Sequence, residues 1–141
     1  MIFHINRMAF KAGSTKEQRQ AVLDAAPQAG EANPAGRWRV MGRELGAEFE
    51  YGAVYVVDNL DDYRAYLNHP ARVQSELTGV ELTERFVAFD VTDSDDPGIE
   101  EKIARLQARH LEESPELAAL VAQATSFSVP GGAGSDAGGQ K

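Results

Sequence analysis

Apolar and polar positions alternate in four stretches of the chain and recur at helical spacing between them. The first stretch, Ile2–Phe10, reads as a strand. Phe3, Ile5 and Ala9 alternate with His4, Asn6, Met8 and Phe10, and both sets are partly apolar, as in a strand covered on both faces. Lys11-Ala12-Gly13 turns the chain. Ser14-Thr15-Lys16-Glu17 has the form of a capping box, with Ser14 at the N-cap and Glu17 three residues on. The helix it opens carries Val22, Leu23 and Ala26, and Pro27 or Gly30 is expected to end it.

Asn33-Pro34-Ala35-Gly36 is turn chemistry. Residues 37–41 alternate weakly and read as a second strand. Residues 49–57, rich in Tyr and Val, read as a third, and Gly46 between them predicts an antiparallel hairpin. Asn59 is a good N-cap for a second helix, with Asp61 and Asp62 at its positive end and Leu60, Tyr63 and Leu67 as its apolar stripe. Pro70 stops or kinks that helix and starts another, which runs through Val73 and Leu77 to Gly79. Residues 84–91 form the fourth strand. The order is β-α-β-β-α-β, the ferredoxin-like arrangement of an α+β fold.

The domain is expected over residues 1–92. Residues 93–124 form a polar linker and a helical extension, with Ile99, Ile103 and Leu106 at helical spacing and a second helix opened by Ser114-Pro115-Glu116. Residues 125–141, rich in Gly, Ala and Ser, are expected to be disordered.

Such a sheet carries helices on one face only. Phe3, Ile5, Val54, Val56, Phe86 and Ala88 leave no polar face, so the side without helices would expose a large apolar patch. A symmetric homodimer with two sheets face to face solves this, with the extension adding to that contact. The alternative is that the extension covers the face within one chain.

Composition narrows the function. The chain has 141 residues, with 43% hydrophobic and 26% charged, ordinary for a soluble globular domain. There is no cysteine, which excludes disulfides and thiolate chemistry and fits a cytoplasmic location. No apolar run reaches membrane-spanning length and no signal peptide is visible. The formal net charge of −8 argues against nucleic acid and anionic membranes as partners. The three histidines lack metal-ligand spacing, and no phosphate loop or dinucleotide fingerprint is present, so neither metal nor cofactor is expected.

The chemistry concentrates in Tyr66-Leu67-Asn68-His69-Pro70-Ala71-Arg72, which places a phenol, an imidazole and a guanidinium at a helix break. His4, Asn6 and Met8 share one strand face by the period of two, and Tyr51, Ala53, Tyr55 and Val57 share one face of the third strand.

Residues 2 to about 92 resemble the stress-responsive A/B barrel (Dabb) family of the dimeric α+β barrel superfamily. The resemblance rests on the Ile2-Phe3-His4-Ile5 strand, the Tyr/Val-rich third strand with its acidic helix, and the Tyr66 to Ala71 segment before a strand ending at Asp90. It implies a homodimer with a pocket between each sheet and its helices. Members include a plant polyketide cyclase, a hydroxynitrile lyase and boiling-stable stress proteins, and related barrels include cofactor-free monooxygenases, so the fold does not name the reaction. Tyr66 matches the cyclase's pocket tyrosine, His4 its first-strand histidine, and His69 the histidine of the family's His-Pro pair. Arg72 stands where the cyclase has the histidine proposed as its base, and a guanidinium cannot take that role.

By the resemblance, His4, Asn6, Met8, Tyr51 and Tyr55 line a pocket of apolar walls and few polar groups. Each candidate also has a plainer reading. His4 is either a base or a hydrogen-bonded core histidine. Tyr66 either polarises a carbonyl or is a core tyrosine with its hydroxyl at the rim. Arg72 either binds a carboxylate or enolate or pairs with Glu76 at the surface. For His69, capping the broken helix is favoured over ligand binding. Two functions follow: a cofactor-independent cyclase, lyase or oxygenase-type enzyme acting on a hydrophobic carbonyl compound, with Tyr66, His4 and Arg72 as its catalytic groups, or a non-catalytic dimeric stress-response or binding module that assembles through its extension.

Overall fold

A computed structural model of the chain describes residues 1–123 and 127–128. The elements in order are β1 (Ile2–Phe10), α1 (Lys16–Ala32), β2 (Trp38–Arg43), β3 (Tyr51–Val57), α2 (Leu60–Asn68), α3 (Pro70–Val80), β4 (Thr83–Thr92), α4 (Ile99–Glu113), α5 (Pro115–Gln123) and the short β5 (Phe127–Ser128). The sheet order is β2-β3-β1-β4-β5. The first four strands are antiparallel, and β5 runs parallel to β4 at the edge. This is the ferredoxin-like α+β fold with a helical C-terminal part. The tail expected to be disordered, 125–141, lies outside the described residues except at 127–128, which pair with β4.

Two local expectations shift. The α1 capping box is one residue later, with Thr15 at the N-cap and Gln18 reaching back to its backbone. Both residue pairs have the required chemistry, and the geometry selects the second. The helix also passes Pro27 and ends at Ala32, capped by Asn33. A proline in the interior removes one backbone bond, but α1 packs along α3, and the buried Asn33 side chain donates to the Tyr66 carbonyl across 3.0 Å. Those tertiary contacts hold the last turn in place.

The break between α2 and α3 follows from Pro70. His69, at ψ 130°, is extended as a pre-proline residue must be, and it serves as C-cap of α2 and N-cap of α3. Its Nδ1 accepts from the Ala71 amide at 3.3 Å. The chain therefore changes direction between Tyr66 and Arg72 with His69 at the junction of both helices.

Register divides the sheet into two unlike faces. One presents Ile2, His4, Asn6, Met8, Ala53, Tyr55, Val57, Phe86, Ala88 and Asp90 toward the helices. The other presents Phe3, Ile5, Val54, Val56, Val87, Phe89 and Val91, joined at the β2 edge by Trp38 and Val40. Trp38 is 56% exposed and Val91 52% exposed. The described part of the extension leaves this apolar face open. α4 packs on α2, and α5 packs on α3, all on the helix side. Among the described residues α4 and α5 therefore do not cover the open face within the chain, because the amphipathic stripe of α4 is buried against the helix layer instead.

Candidate functional site

The cavity lies between the helix-facing side of the sheet and the helices, with a volume of about 160 Å³. That is on the order of the space needed for one aromatic ring. β1 supplies His4, Asn6 and Met8 to it, and β3 supplies Tyr51, Ala53 and Tyr55. Tyr66 enters from α2, and Arg72 and Glu76 from α3. The extension completes the wall with Gln107, His110 and Leu111 from α4 and Leu117 and Val121 from α5.

His4 is 1% exposed and sits in register between Tyr55 and Asp90. Its Nδ1 lies 2.9 Å from Asp90 Oδ1 and 3.2 Å from the Tyr63 hydroxyl. Tyr63, fully buried, donates to Asp90 at 3.1 Å, and Gln107 Nε2 donates to the Tyr63 oxygen at 2.6 Å. The direction of this chain is dictated by its ends. An amide N–H can only donate and a carboxylate can only accept, so the His4 proton resides on Nδ1 and points at Asp90. His4 Nε2 is left as a lone pair, buried and without a partner among the described residues. Burial lowers the His4 pKa, outweighing the opposing hydrogen bond to Asp90. The imidazole is thus held neutral, in one tautomer, with its free nitrogen available as a base.

A second polar group surrounds Tyr66. The Arg72 guanidinium stacks over the Tyr66 ring at 4.8 Å, forms an ion pair with Glu76, and approaches the Leu67 carbonyl at 3.4 Å. His110 Nε2 is 3.3 Å from both Arg72 Nη1 and Glu76 Oε2, and His110 Nδ1 is 2.9 Å from Asn68 Oδ1. Burial first, and the Arg72 charge second, push the His110 pKa down to about 4. The Tyr66 phenol has its pKa raised, because burial outweighs the stabilising effect of Arg72. The Tyr55 ring lies against Tyr66 with centroids 5.1 Å apart.

Of the sequence-derived candidates, His4, Asn6, Met8, Tyr51, Tyr55, Tyr66 and Arg72 all line the cavity. His69 does not; its ring nitrogen is spent on capping α3. Arg72 pairs with Glu76, but at the cavity wall rather than the surface, with both side chains at least three-quarters buried. Sequence reasoning missed Tyr63, Asp90, Asn68, Glu76, Gln107 and His110 as site residues. For Gln107 and His110 the signal was present: they follow Ile103 at spacings of four and three along the buried stripe of α4. A polar residue on an apolar stripe needs a partner. Asp90 likewise shares the β4 face of Ala88. Among the described residues, no group of three or more His, Cys, Asp and Glu is placed to hold a metal ion.

The chain covers nearly the full length of several solved structures of the same fold. It is similar to a dimeric ferredoxin-like protein of unknown function from Thermobifida fusca, at 23% identity and TM-score 0.59, over 64% of this chain and 89% of that one. It is similar to the hydroxynitrile lyase of Passiflora edulis, at 13% identity and TM-score 0.58, over 66% and 94%. It is also similar to SnoaB, a cofactor-independent oxygenase of Streptomyces nogalater, at 16% identity and TM-score 0.53, over 68% and 96%. These likenesses show the fold. No curated protein matches the chain in sequence at a significant level. The family model of the Stress responsive A/B Barrel Domain matches residues 2–93. Those residues contain every strand of the antiparallel sheet and the His4–Asp90 pair, and the chain belongs to that family.

Proposed function

We propose that the protein is a homodimeric, cofactor-independent acid/base catalyst acting on a hydrophobic carbonyl compound. The observation that carries this reading is the unpartnered Nε2 of His4, on an imidazole whose other nitrogen is committed to Asp90. In this reading Nε2 removes a proton next to the substrate carbonyl. Asp90 stabilises the imidazolium that forms, and the Tyr66 phenol, facing Arg72, donates to the carbonyl oxygen as negative charge develops there. Arg72 keeps Tyr66 polarised. Asn6, Met8, Tyr51 and Tyr55 shape the pocket. The homodimer reading is supported by the open apolar sheet face and by neighbours described as dimeric.

Exchange of the α-protons of aryl methyl ketones into deuterated water, followed by NMR, tests the reading without knowledge of the natural substrate. The wild type should accelerate exchange, and His4→Gln should abolish the acceleration. A wild type that exchanges no faster than buffer across a panel of ketones, cyanohydrins and β-diketones would leave the second reading, a non-catalytic binding module. The α4 and α5 residues in the cavity wall support that alternative.

A further inference from the structure

We infer that the cavity selects an uncharged apolar ligand of about one-ring size that carries a hydroxyl or enol, and that it turns carboxylates away. The inference rests on this cavity being the ligand site, as proposed above, and it names the chemistry of the group bound there.

Two acceptors on one strand face ask for donors. His4 Nε2 and Asn6 Oδ1 are the side-chain atoms found buried with no hydrogen-bond partner among the described residues. Both residues line the cavity, and they stand two apart on β1, so their side chains project in the same direction. Buried acceptors are rarely left unpaired. A ligand hydroxyl supplies the missing proton; a carboxylate supplies only more lone pairs.

The charges point the same way. Arg72 is the only lysine or arginine among the described lining residues, and Glu76, also lining the cavity, pairs with it. His110 directs its Nδ1 at Asn68 and its Nε2 at Arg72 and Glu76, leaving no donor for an incoming anion. Behind His4 stands Asp90, a further negative group. An entering carboxylate would lose its water, find no unpaired cation among the described lining residues, and set its lone pairs against those of His4 Nε2 and Asn6 Oδ1. Most of the remaining wall is apolar, with Met8, Ala53, Phe86, Leu117 and Val121 in it.

Calorimetric titration of the full chain with 4-methylphenol, toluene and 4-methylbenzoate near neutral pH tests the inference. The phenol should bind at least ten-fold more tightly than the benzoate and several-fold more tightly than toluene. Asn6→Leu should remove most of the phenol's advantage over toluene while leaving toluene binding in place. If that variant does not fold, Asn6→Asp should keep the phenol and weaken the benzoate further. Equal or tighter binding of the benzoate, an unchanged phenol-to-toluene ratio in Asn6→Leu, or no binding of any probe would overturn it. Phenol selectivity without any α-proton exchange would sink the catalytic reading alone; exchange with benzoate preferred would sink this inference alone.

Discussion

Gln107 on α4 donates a 2.6 Å hydrogen bond to the hydroxyl oxygen of Tyr63 on α2. The bond joins a residue beyond the family-matched segment to the pair that orients His4. With Gln107 occupying the acceptor side of the phenol, the Tyr63 proton is directed to Asp90, and Asp90 in turn holds the Nδ1 proton of His4. The extension is therefore part of the site's hydrogen-bond chain as well as its wall.

Gln107→Leu should cost about 1 kcal/mol of stability, the usual size of one lost buried hydrogen bond, read by urea unfolding. Gln107→Glu should do more to His4. A carboxylate at that place competes with Asp90 for the Tyr63 proton and adds negative charge, so the His4 midpoint should rise. Titration of the imidazole followed by nitrogen NMR measures this, and a midpoint equal in both variants and the wild type would refute the coupling.

Asp90→Asn should leave the fold in place and remove two or more orders of magnitude from catalysed exchange. An amide can offer His4 a donor as readily as an acceptor, so the tautomer with Nε2 free is no longer enforced. The nitrogen shifts of His4 should report a mixture of tautomers. Full activity in Asp90→Asn would mean that His4 is not the base.

Acid should destabilise the protein over a defined window. In the unfolded chain each imidazole takes up its proton near its ordinary pKa of 6.5, whereas burial opposes this for His4 and His110 in the folded protein. The unfolded state thus binds more protons below that pH. Stability is fully present above pH 6.5 and falls as pH drops, for His110 until about pH 4. The slope should be at most about 1.4 kcal/mol per pH unit for each histidine. His110→Gln should flatten the fall in urea-unfolding free energy between pH 6.5 and 4; an identical slope in the variant would assign the loss to other groups.

Phe89→Glu should yield a monomer. Phe89 is 38% exposed on the open sheet face, beside Ile5 in register. A charge there would have to be buried between two sheets with no partner. Sedimentation at micromolar concentration should give dimer mass for the wild type and monomer mass for the variant. A dimeric variant would place the interface elsewhere.

Much of this was legible in the residues because it depends on local rules. The period of two put His4, Asn6 and Met8 on one face, and that face does line the cavity. Pro70 forced the break between α2 and α3, and the pre-proline geometry turned His69 into a cap. The same local rules misjudged α1, since propensity alone stops a helix at Pro27, while packing on α3 and the Asn33 bond to Tyr66 carry it to Ala32.

By itself, the sequence determined the order of the elements, the two faces of each strand and the concentration of polar chemistry around Tyr66. These follow from backbone sterics and side-chain periodicity within a few residues. Only the tertiary structure decided which groups act together. Asp90 stands 86 residues from His4 along the chain, and Gln107 stands 44 from Tyr63. The extension is read from sequence as adding to the dimer contact or covering the sheet, but it lines the cavity, because its buried stripe packs on the helix layer. Hydrogen-bond direction and desolvation, which set the His4 tautomer and the neutrality of the Arg72 corner, arise only when those distant groups share one enclosed space.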